Sequence, residues 1–143
     1  MTADIDARLL TNLKEHLPQL RRLRGEVQYE WGAEDLVYRF YHCSFKVFGI
    51  QQLTLAIRDA LRELLPDVPM NERFERIIAE GTEKKFALET NRRWDEETRP
   101  LLEAFFHANY FLEMAIKYGE KLDEPPSSLP SGWASVLYLY NLR

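Results

Sequence analysis

Residues 36–65 read LVYRFYHCSFKVFGIQQLTLAIRDALRELL, and the fold turns on how this stretch is read. Between Phe40 and Ile57 the one formally charged side chain is Lys46, with His42 as a titratable second, although 29% of the chain is charged. A run so poor in charge is the natural core element. Its inward face follows helical spacing at 37, 40, 41, 44, 45 and 48, then resumes out of phase at 50, 53, 57, 60, 61 and 64. Thirty helical residues would be about 45 Å long, whereas a compact chain of this size is a ball roughly 35–40 Å across. The sequence therefore predicts a central buried helix over 34–65 with a kink near Gly49, where the phase shifts. Ala33, Glu34 and Asp35 open it, and Pro66 and Pro69 end it.

Upstream, Ile5, Leu9, Leu13, Leu17, Leu20 and Val27 keep one stripe from about Asp4. Pro18 interrupts that stripe, and an internal proline removes a hydrogen bond and clashes with the preceding turn. A break near His16–Leu17 is expected, with a second short helix from Pro18 to Trp31. Downstream, Asn71 is a good N-cap for a narrower amphipathic helix carrying Phe74, Ile77, Ile78, Gly81 and Leu88. Gly81 on its apolar face signals a close helix approach. A further helix should start near Thr98–Pro100 and reach about Leu122. It has one apolar row at 101, 105, 108, 112, 115, 116 and 119 and a second at 102, 106, 110, 114 and 118. Two rows require two partners. After the Pro/Ser-rich linker 123–130, the segment 131–143 is so aromatic that it should dock on the body, as a short helix. The sum is an all-α, single-domain bundle of about five helices over 1–143, with an aromatic C-terminal tail held against it.

The chain's 143 residues suffice for one core, and the single cysteine, Cys43, excludes an internal disulfide and a cysteine-based metal cage. Cys43 itself is expected to be a small buried hydrophobe. The N-terminus lacks the pattern of a signal peptide, and 40–57 is interrupted by His42, Lys46, Gln51 and Gln52, so no membrane span and a cytoplasmic location are expected. A net charge of −4 with both signs interspersed argues against nucleic acid as a partner.

Chemistry could reside in four constellations. Arg39 and His42 lie three apart on the central helix, a spacing that could set an acid/base beside a phosphate-stabilising guanidinium. Without chemistry, Arg39 is the snorkelling edge of the core helix and His42 a buried ring that needs a partner. Glu103 and His107 lie four apart on one helix face, within reach of each other as metal ligands or as a base and its orienter; a surface ion pair explains them as well. Carboxylate pairs Glu72/Glu75, Glu80/Glu83 and Glu120/Asp123 have the spacing for Mg²⁺ but are interleaved with Lys and Arg. Arg21, Arg22 and Arg24, with Arg92 and Arg93, are basic clusters surrounded by acids. No phosphate-cradling glycine loop, nucleophile elbow or zinc motif is present, so no cofactor is implied.

These residues fit a non-enzymatic interaction or scaffold protein, a homodimer through the 101–119 helix, the aromatic tail or both. The alternatives are a metal- or phosphate-dependent hydrolase of nucleotides or RNA, and a binder of a small apolar ligand between Phe40, Phe45, Phe106 and Tyr110.

Overall fold

The computed structural model describes residues 2–31, 36–87, 90–121 and 133–141. Six helices and one two-stranded ladder are found among them: α1 (Thr2–Trp31), α2 (Leu36–His42), β1 (Phe45–Lys46), α3 (Val47–Glu63), α4 (Glu72–Thr82), β2 (Asn91–Arg92), α5 (Arg99–Glu120) and α6 (Trp133–Leu137). The all-α class is as the periodicity predicts. No described helix is long and apolar enough to cross a membrane.

α5 lies at the centre, touching α1, α3, α4 and α6. Both of its apolar rows are used. Leu101, Phe105, Ala108, Leu112, Ala115 and Ile116 are buried in the first, and Leu102 and Tyr118 in the second. α3 shares the core through Val47, Ile50, Leu53, Ile57 and Leu61. Close approach on either side of α5 is secured by small residues. A Cβ on Gly81 would overlap the Cβ of Ala104 and come within 2.6 Å of the Pro100 carbonyl oxygen. A Cβ on Gly119 would lie 2.9 Å from Leu17 Cδ2.

The 36–65 stretch is not one helix kinked at Gly49. It is two helices separated by an extended link at Cys43–Lys46, and Gly49 lies inside α3. The opening at 34–35 falls outside the described residues. The physical reason for the earlier break is a distant partner. Phe45 and Lys46 pair antiparallel with Arg92 and Asn91, and Val47 N–H donates to Thr90 O at 3.2 Å. The link also turns Phe45 back onto Phe40, with ring centroids 5.1 Å apart edge to face.

Pro18 does not break α1, which is continuous from Thr2 to Trp31. Pro18 is exposed, while Leu9, Leu13, Leu17, Leu20, Leu23 and Val27 are all buried along the opposite stripe. Each such side chain is worth about 1.5–3 kcal/mol on burial, against a cost of ~3 kcal/mol for an internal proline. Continuity wins.

α4 begins as predicted, with the Asn71 side chain accepting from Arg73 N–H at 2.9 Å. It stops at Thr82, short of Leu88, because Gln51 Nε2 terminates it, donating to Thr82 O at 2.9 Å and Lys84 O at 2.6 Å. The aromatic tail is docked. Trp133, Val136, Leu139 and Tyr140 are buried, and Tyr140 forms an antiparallel bridge with Met70. The linker 123–130 lies outside the described residues.

Candidate functional site

Arg39 and His42 both lie on α2, His42 as its last residue, but they do not share a site. Arg39 is exposed and lines a broad open groove of about 980 Å³. His42 is exposed rather than buried; it does not line the groove, and its ring lies on Tyr38 with centroids 4.3 Å apart. Its backbone carbonyl accepts from Arg93 Nη2 at 2.8 Å. Cys43 is also exposed, against expectation. His42 ends α2 on its exposed side, and Cys43 lies just beyond, where the chain leaves helical geometry.

Glu103 and His107 are not paired. Glu103 turns back to Arg99, with Oε1 3.4 Å from Nε. His107 is half-buried between aromatic rings, with centroids 5.5 Å from Phe74 and 5.2 Å from Phe111. Its buried Nε2 has no hydrogen-bond partner among the described residues. Desolvation, reinforced by the positive charge of Arg73, holds the His107 pKa below its ordinary value, so the ring is neutral at neutral pH.

The carboxylate pairs do not act as pairs, and Glu75 and Glu120 are drawn into ion pairs instead. Glu72 lies in the first turn of α4, while Glu75 clasps Arg62 of α3. Glu80 and Glu83 are exposed at the other end of that helix. Glu120 accepts from Arg21 Nη2 at 2.9 Å and lies 4.0 Å from Arg24, so this basic cluster seals α1 against α5. Asp123 lies outside the described residues. Arg92 joins Asp95 at 2.7 Å and Glu97 at 3.0 Å, and Lys84 reaches Glu97 at 2.6 Å. Arg92 above all holds the Asp95 carboxyl low, and Lys84 above all does the same for Glu97. Among the described residues no three of His, Cys, Asp and Glu gather as metal ligands.

Two surfaces stand out among the described residues. One is the groove, where α3 contributes Phe48, Leu53 and Ala56, the link contributes Lys46, α2 contributes Arg39 and α1 contributes Glu26. Lys46 went unnoticed as a site residue. The available signal was its standing as the one fixed charge in the run from Phe40 to Ile57. The other surface is an aromatic face on α5 and the tail. There Tyr110, 49% exposed, meets Phe111 edge to face at 5.1 Å, and Phe111 stacks on Tyr138 at 5.8 Å. The four residues named for an apolar ligand do not all converge. Phe40 packs directly against Phe45 and Phe106, while Tyr110 faces outward.

Comparison with protein-family models, with curated proteins and with solved structures finds no match to this chain.

Proposed function

We propose that this chain is a non-enzymatic interaction protein that assembles as a homodimer through α5 and its aromatic C-terminal segment. One observation carries the reading: the aromatic cluster of His107, Tyr110, Phe111 and Tyr138, with Tyr110 left open to solvent. Interface centres are depleted of charge and enriched in aromatic residues, and an exposed tyrosine on a packed base is a frequent energetic anchor. Two-fold pairing would set this same patch on both subunits. Light scattering at micromolar concentration should give twice the 17.0-kDa chain mass. Tyr110→Glu should return one chain mass with the helical circular dichroism retained. A wild-type protein that stays at one chain mass overturns the dimer, as does a Tyr110→Glu variant that still pairs.

A further inference from the structure

The groove beside β1 lies apart from the aromatic face and has a character of its own. We propose that it binds a small amphiphilic organic anion, consisting of one carboxylate or phosphate head on an apolar body.

The volume, about 980 Å³, is at the upper end of small-ligand sites, which run from about 300 to 1,000 Å³. Its wall is divided by chemistry. Phe45, Phe48, Leu53 and Ala56 offer carbon surface, while Ser44, Gln52 and Asn91 offer neutral hydrogen-bonding groups. Charge decides the head group. Among the described residues two cations, Arg39 and Lys46, face a single carboxylate, Glu26, an excess of one positive charge on a chain whose net charge is −4. Neither cation has an ion-pair partner among the described residues, whereas Arg8, Arg21, Arg62 and Arg92 are each held by carboxylates. Arg39 presents a planar fork that matches carboxylate and phosphate oxygens, and Lys46 adds a point charge. A neutral apolar ligand would leave both cations unused. A purely ionic one would leave the phenylalanine and leucine surface wet.

The test uses the full chain and three probes that share one apolar body: phenylbutanoate, phenylbutyl phosphate and phenylbutanol. Binding is followed by amide chemical shifts. Saturable shifts confined to residues 44–56 and their neighbours across the groove are expected for at least one anion. The anion that binds more tightly identifies the head group. The double variant R39Q/K46Q should weaken anion binding by about tenfold or more and leave phenylbutanol unaffected. Both positions are exposed, so its melting temperature should match the wild type. Q52W fills the groove from an exposed position and should abolish binding of all three probes. The proposal is overturned by alcohol binding as tight as that of the acids, by shifts on another face, by absence of saturable binding, or by full anion affinity in R39Q/K46Q.

Discussion

His107 shows how one side chain acquires two consequences from its surroundings. The i,i+4 spacing to Glu103 was visible in sequence, but Glu103 has an equally spaced neighbour in Arg99, and an ion pair with a permanent cation prevails. His107 is then free to face Phe111, one turn further along α5, and Phe74, which is distant in sequence and legible only as an apolar position. Because the folded protein disfavours the imidazolium, the unfolded chain binds more protons once pH falls below the ordinary histidine value near 6.5. Stability is therefore full above that value and declines as pH drops toward the lower folded pKa. Denaturant unfolding across this window should show the slope, and His107→Leu should flatten it. The lowered carboxyls of Asp67, Asp95 and Glu97 act in a separate, more acidic window, since their contribution is present above the ordinary carboxyl range and fades below it. If His107→Leu leaves the slope near neutrality untouched, the half-buried neutral ring is the wrong account.

At the level of elements, the sequence was most readable where a local rule met no tertiary opposition. Asn71 caps α4, Gly81 admits Pro100 and Ala104, and α5 starts beside Thr98, whose N–H is received by Asp95 Oδ1 at 2.9 Å. It was least readable where a remote partner set the outcome. The break at Cys43–Lys46 depends on residues 90–92, and no feature within 36–65 announces that pairing. Pro18 is the converse case, a strong local signal outweighed by six buried side chains on the opposite stripe. Pro18→Ala should therefore restore a missing N–H without disturbing the core. The proline costs ~3 kcal/mol in a helix interior, offset by ~0.4–1 kcal/mol from its stiffening of the unfolded chain. A net gain of about 2 kcal/mol is expected from denaturant melting. A loss of stability would mean that α1 needs the proline's geometry.

For the molecule as a whole, the docking of the aromatic tail could be inferred from composition, because so much aromatic surface seldom stays in water. Where it docks could not, since the receiving groups are backbone atoms that no sequence pattern marks. Asn71 N–H donates to Leu139 O at 2.8 Å, Asn141 N–H to Pro69 O at 2.8 Å, and Asn141 Nδ2 to Met70 O at 2.7 Å. Tyr140 is buried and its hydroxyl donates to Leu61 O at 3.1 Å; burial pushes the phenol well above its ordinary range. Tyr140→Phe keeps the ring and removes that bond, so stability should fall by about 0.5–1.5 kcal/mol. An unchanged denaturation midpoint would show that the hydroxyl contributes nothing. The α3–α4 turn receives the other end of the chain as well, through Asn12 to Leu64 O and Arg8 to Asp67. This arrangement has a consequence in time. The bond from Asn141 to Met70 closes a separation of 71 positions, whose entropic cost is about 4 kcal/mol beyond the constant term. Helices form and pair far sooner than so long a closure, so residues 138–141 should join after the folding barrier has been crossed. Substitutions there should then quicken unfolding and leave the folding rate alone, making the tail a latch on the lifetime of the fold.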